Sequence, residues 1–183
     1  MMLTPADVVD LSNQQFSSDF LLRLRKIYSA ENYCLRHLPF VIRKLPNSPL
    51  LSLLDQHLPV ITARKLYMEN IFAELNIKTG GVTCLMFKKL IGKAGNIIYH
   101  IKSKESNNSL ELIEVLLEIS IYRGHIYNYL HEASKSMDKP LVTAVITQCL
   151  SREDSFFYEL LRIKKTIASA DRSESKISNF LTA

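Results

Sequence analysis

The sequence predicts an all-α protein, a four-helix bundle with a long crossover that carries one or two short helices. Three observations predict it. Apolar residues recur at helical spacing almost throughout, turn signals cut the chain into four long segments and a shorter stretch, and no segment requires a strand. With 183 residues and 47% apolar content, the chain is long enough for one compact core and short for two large ones.

A first helix is predicted over residues 18–44, with apolar positions at Leu24, Ile27, Tyr28, Leu35, Leu38 and Ile42. It stops at Leu45-Pro46-Asn47-Ser48-Pro49, where Ser48 suits an N-cap and Pro49 the first turn of the next helix. The second helix should run to about Asn76, with its stripe at Leu50, Leu54, His57, Ile61, Met68 and Phe72. Pro59 lies inside it, removes the amide that would reach the carbonyl of Asp55, and should kink it. Lys78-Thr79-Gly80-Gly81 is a loop, followed by a shorter helix from about Cys84 to Lys102 and a polar link over residues 103–109. Asn108 and Glu111 have the spacing of a capping box, which would open the third long helix, running to about Met137. Asp138-Lys139-Pro140 starts the fourth, striped by Val142, Ile146, Cys149, Glu153, Phe156, Leu160 and Ile163. The sequence past Ala168 is Ser-rich and charged and has no stripe, so residues 1–168 are expected to form the bundle and 169–183 a flexible tail. Four long helices with a short helical insertion between the second and third match the ferritin-like arrangement.

Composition excludes several function classes. Five glycines and no GxGxxG or GxxxxGK[ST] sequence argue against a nucleotide-binding loop. The net charge of +5 is spread among acidic residues, as on a solvated surface. The most basic stretch, Lys88 to Lys104, has little interleaved aromatic surface, so nucleic-acid binding is not expected. Cys34, Cys84 and Cys149 are odd in number, far apart and without CxxC spacing, which fits buried thiols rather than disulfides or zinc. The N-terminal residues have no basic region followed by an apolar core, and no apolar run reaches membrane-spanning length, so a soluble cytoplasmic protein is expected.

Glu31 is the position where chemistry begins. It stands on the apolar face of the first helix, and a carboxylate there needs a metal or a cation, because desolvation costs about several kcal/mol per buried ion. No nucleophile-elbow sequence or paired His motif supplies a catalytic site elsewhere. Tyr28, Tyr122, Tyr127 and Tyr129 fall along interior faces, where they would fill volume and donate a hydroxyl to a buried partner.

The ordered set Ile27-Tyr28-Ser29-Ala30-Glu31, His57-Leu58, Glu69 with Phe72, Cys84 through Leu90-Ile91, and Tyr122 with Tyr127 resembles the YciE/YciF family of ferritin-like bacterial stress proteins, in register from about Phe20 to Ile163. The resemblance implies a ferritin-like bundle, a homodimer, and a di-metal centre with carboxylates from all four helices. Glu31 keeps the family's first-helix glutamate. The second-helix carboxylate is replaced by Val60, and the third-helix Glu-His-Tyr-Glu run reads Ser120-Ile121-Tyr122-Arg123. In the fourth helix Glu153 survives. Two carboxylates cannot supply two divalent ions, which prefer oxygen-rich shells.

The substitutions that remove ligands add Arg123 at a former glutamate position, and Arg64 one turn after Val60. Two placements are open to these arginines: in the former metal site, paired with Glu31 and Glu153, or along apolar surface with the head in water. The vestigial site thus comprises Glu31, Val60, Arg64, Ser120, Arg123 and Glu153, with no catalytic residue and no cofactor. The leading expectation is a metal-free ferritin-like protein that acts by binding or assembly. The alternative is an iron or manganese carboxylate protein using Glu31, Glu153 and Glu69, with His57 as a further candidate ligand, although a lone His on an apolar face is more often a hydrogen-bonded core residue. A second alternative is an adaptor for an acidic partner through Lys88–Lys104. For the homodimer, Phe40, Phe72 and Phe87 could serve an interface or the core.

Overall fold

The computed structural model describes residues 18–100 and 106–181, with side chains over 18–100 and 109–169. It contains five helices and, among the described residues, no strand: α1 (Ser18–Lys44), α2 (Pro49–Glu74), α3 (Leu85–His100), α4 (Ser106–Ser134) and α5 (Pro140–Leu181). Helix α4 opens at Ser106, so the polar link expected over 103–109 ends earlier and Asn108 lies inside the first turn instead of capping it; the side chains of Lys102, Lys104 and the C-terminal segment lie outside the described ones.

The ends of α2 show why its boundaries fall where they do. Ser48 Oγ accepts from the Leu51 amide at 3.2 Å and Pro49 occupies the first turn, where its missing N–H costs nothing. At the other end Asn76 takes a positive φ of 53°, the amide of Ile77 donates to the Phe72 carbonyl at 3.0 Å, and that of Asn76 to Ala73 at 2.9 Å. This is a Schellman closure with Asn in the place where glycine is commonest, and Ile77 packs toward the core beside it. The helix runs without interruption through Pro59, as α1 does through Pro39. Pro59 is exposed and Pro39 half-buried, which leaves room at the carbonyls they release.

Chain direction follows from side-chain neighbours. Arg23, near the start of α1, lies 4.0 Å over the ring of Tyr129 near the end of α4, so these helices are antiparallel. In α2 and α5, His57 stacks on Phe156 while Glu74 pairs with Lys139, which makes this pair antiparallel too. Since α1 and α2 form a short-linked hairpin, α2 and α4 point the same way. The connection between them must therefore return along the bundle, and α3 does this, packed against α1 and α4. That is the up-down-down-up order of a ferritin-like bundle.

The start of the crossover is tied to α1. Arg25 donates to the carbonyls of Gly80 and Lys78 at 3.1 and 3.2 Å, and the Val82 amide donates to the Arg25 carbonyl at 3.2 Å. Gly81 passes so close to α1 that an added Cβ would sit 3.0 Å from Ser29 Cβ, which explains a glycine there. The core between the four long helices includes Leu24, Ile27, Leu54, Ile61, Met68, Phe72, Leu112, Tyr127, Ile146 and Leu160, all at most 1% exposed.

Two further expectations change. The fourth long helix does not give way at Ala168 but extends to Leu181, consistent with the absence of Gly or Pro from that stretch. Phe72 and Phe87 are fully buried within the chain and so are not free for a subunit interface, whereas Phe40 is 41% exposed.

Candidate functional site: a buried ion-pair cluster

Each long helix places at least one polar group at the same level of the bundle. Glu31 comes from α1, Arg64 from α2, Ser120 and Arg123 from α4, and Glu153 from α5; none exceeds 2% exposure. Tyr127, also from α4 and fully buried, completes the set. On α4 the spacing Ser120, Arg123, Tyr127 puts all three on one stripe. Arg64 is displaced by 33 positions from Glu31, so the α1–α2 hairpin brings it back opposite that carboxylate.

The cluster has a definite geometry. Arg123 Nη2 donates to Glu31 Oε1 and Oε2 at 2.9 and 3.0 Å and lies 3.1 Å from Glu153 Oε2. Arg64 Nη1 donates to Glu153 Oε2 at 2.5 Å and stands 3.7 Å from Glu31 Oε1. Tyr127 Oη donates to Glu31 Oε1 at 2.6 Å, and Ser120 Oγ to Glu153 Oε1 at 2.5 Å. Every carboxylate oxygen has a donor. Two guanidinium cations face two carboxylates, so the charges cancel.

Burial raises the pKa of Glu31, against the pull of Arg123 and Tyr127, and it raises that of Glu153 in the same way. For Arg123, burial alone would favour the neutral form, but Glu153 and Glu31 outweigh it and hold the guanidinium well above its ordinary value. A neutral carboxyl here would leave a cation uncompensated in the core, which favours the doubly ionised cluster at neutral pH. Burial, then Glu31, hold the Tyr127 phenol protonated, as its role as donor requires.

The remaining predicted positions lie elsewhere. Val60 is half-buried, beside Arg152, Ser155 and Phe156 at the outer side of α2 and α5, and contributes nothing to the cluster. Its replacement is Arg64, one turn on, whose long side chain reaches the centre. Glu69 is on the surface, bonded to Lys65 at 2.8 Å and to the Tyr28 hydroxyl at 2.9 Å, which puts it out of reach as a ligand alongside Glu31 and Glu153. His57 is buried, and its Nε2 lacks the hydrogen bond expected of a core histidine. Its ring stacks on Phe156 at 3.7 Å between centroids, and Nε2 has no partner among the described residues. Burial, with a smaller push from Arg123, lowers its pKa to about 2. Tyr28, Tyr122 and Tyr129 are half-buried and make contacts away from the centre, Tyr122 with Cys84 Sγ at 2.8 Å. In the basic stretch, Lys93 pairs with Glu118 at 3.1 Å.

A metal fits this centre poorly. Among the described residues no group of three or more His, Cys, Asp and Glu is gathered where one cation could sit. The two carboxylates that remain are already spanned by guanidinium groups, and a divalent ion between them would stand against two fixed positive charges.

A helical bundle with ferritin-like connectivity and a charge-neutral ion-pair cluster at its centre is the class that fold and site define. Residues 15–171 match the family described as a domain of unknown function, DUF892, and the chain belongs to that family. Among solved structures it is similar to the E. coli stress protein YciF, at 20% identity and a TM-score of 0.76 over 92% of this chain and 99% of that one. It is also similar to YcfI from Rhodopseudomonas palustris, at 23% identity and a TM-score of 0.71, covering 77% and 89% of the two chains. Both likenesses are of fold. No curated protein matches the chain. No helix among the described residues is long and apolar enough to cross a membrane.

Proposed function

We propose that this protein is a metal-free member of its family, a ferritin-like bundle that works by binding or assembly and carries out no di-metal chemistry. The observation that carries the reading is the placement of Arg64 and Arg123 between Glu31 and Glu153. Two permanent cations there perform the charge balance that two metal ions would perform in a carboxylate-rich site. No carboxylate oxygen is left without a donor, so a metal would have to displace a guanidinium and leave it buried and unpaired. A stress-related role in the cytoplasm and a homodimeric state belong to the same proposal, supported by the likeness to YciF and by the exposed apolar side chains Phe40, Leu66, Leu85 and Met86.

The test is metal content after purification without chelators and after incubation with ferrous or manganous ion in air. We expect far less than one metal per chain under both conditions. Near-stoichiometric iron or manganese that is lost in Glu31→Ala would overturn the proposal. Light scattering or sedimentation checks the dimer, and a monomer at micromolar concentration would remove that part.

A further inference from the structure

We infer that the bundle binds a small neutral oxygen-bearing molecule, an alcohol or carbonyl compound of about three to four heavy atoms, in a cavity next to the ion-pair cluster. The inference rests on the metal-free reading only in that Glu31 and Glu153 must hold Arg123 in place. The cavity measures about 70 Å³ and lies among α1, α2, α3 and α4, with Phe156 of α5 closing one wall. Most of its lining is aliphatic or aromatic; besides the Cys34 thiol and the exposed His37 at its border, the polar residues are His57 and Arg123, both buried. Each carries a buried nitrogen without a hydrogen-bond partner among the described residues, His57 Nε2 and Arg123 Nε. A buried polar nitrogen left unmatched costs roughly 1–3 kcal/mol, so the Arg123 Nε–H and the His57 ring nitrogen beside one cavity are a standing demand for an oxygen atom.

Charge selects the ligand class. The Arg123 cation is already balanced by Glu31 and Glu153, and His57 is neutral, so an anion would bring an unpaired charge into the core and a cation would meet Arg123. A neutral oxygen can accept from Arg123 Nε–H and, as a hydroxyl, meet His57 Nε2 in either tautomer. Size follows by comparison: a dry cavity of about 150 Å³ holds benzene, so one of half that volume suits roughly three or four heavy atoms. Water could meet the two nitrogens but would leave the apolar wall uncovered, which the alkyl part of an alcohol covers. An entrance exists where His37 and Phe40, both exposed on α1, border the cavity.

The test is NMR of the full chain titrated with 1-propanol, following the Arg123 Nε–H and His57 ring resonances, with xenon as the purely apolar probe. We expect saturable shifts at both side chains with a dissociation constant in the millimolar range, about tenfold weaker binding in His57→Phe, and none in Ala94→Leu, which fills the cavity. His57→Phe keeps a ring against Phe156, and circular dichroism checks that both variants fold. The inference is overturned if neither resonance shifts saturably, if propanol binds no differently in His57→Phe, or if a long-lived water at Arg123 Nε persists at saturating propanol. Metal analysis of the same sample separates the two readings: metal found would overturn the metal-free proposal, and a metal-free sample that ignores propanol would overturn this one alone.

Discussion

Arg123 Nη2 spans both oxygens of Glu31, at 2.9 and 3.0 Å, and joins α4 to α1 across 92 residues of sequence. The same nitrogen lies 3.1 Å from Glu153 on α5, which Arg64 of α2 also reaches. One set of contacts thus fixes the mutual height of all four long helices. An apolar layer would allow helices to slide by a turn at modest cost, but here a slide would leave a buried charge unpaired. Removing one member should therefore be far more costly than replacing the set.

Arg123→Met should destabilise the protein by about 3–5 kcal/mol, because Glu31 then remains buried with its main donor gone. Glu31→Gln combined with Arg123→Met should recover a large part of that loss. Urea unfolding of the wild type, both single variants and the double variant measures the coupling directly. Losses that simply add would mean that the two side chains do not act as a pair.

Much of this arrangement was legible in the sequence. Helix boundaries follow from Ser48-Pro49, Gly80-Gly81 and Pro140, and Glu31 and Glu153 could be placed inward from stripe position alone. Ser120, Arg123 and Tyr127 also share a spacing that marks one face of α4. What the sequence could not decide was whether Arg64 and Arg123 turn inward or lie along the surface, since a long basic side chain on an apolar stripe suits either placement. That depends on the height of α2 relative to α5, a tertiary quantity. The same holds for Val60: the family resemblance puts it at the former carboxylate position, but only the packing of α2 on α5 shows that Arg64, one turn later, is the residue level with Glu153. Nor does sequence locate the ring stack of His57 on Phe156.

Tyr127→Phe tests the second donor to Glu31. The hydroxyl lies 2.6 Å from Oε1 and both groups are buried, so its removal should cost about 1.5–3 kcal/mol, the range for a hydrogen bond to a charged group. The change leaves the ring and its packing in place. A loss below about 0.5 kcal/mol in urea unfolding would show that the Tyr127 hydroxyl contributes little to holding Glu31.

The three cysteines should be silent in the folded state. Cys34, Cys84 and Cys149 are buried, and burial pushes the Cys34 and Cys149 thiols up to about 12. A thiolate is the reactive form, so at pH 8 neither has it in appreciable amount, and the Cys84 thiol is in contact with the Tyr122 hydroxyl. A chromogenic disulfide reagent should label none of the three in native buffer over the time in which it labels all three in denaturant. Rapid native labelling of any one would place that thiol at the surface.

His57 should make the protein acid-sensitive below about pH 6.5. Burial holds its folded pKa down to about 2, against 6.5 when free. Below about pH 6.5 the unfolded chain therefore takes up a proton that the folded chain refuses. The stability this residue contributes is present above that pH and is lost as pH falls, approaching about 1.4 kcal/mol per unit. Between about pH 6.5 and pH 4.5 the loss should reach roughly 2 kcal/mol. Glu31 and Glu153 act in the opposite sense, because burial raises their pKa and the folded state then binds the extra proton. His57→Phe separates the two: it keeps a ring against Phe156 and, since His57 is neutral when folded, leaves the Arg123–Glu31 charges unchanged. Unfolding free energies of both proteins at the two pH values should differ by about 2 kcal/mol in their pH dependence, the wild type losing more. Parallel losses would mean that His57 is protonated in the folded protein, and that its ring reaches solvent.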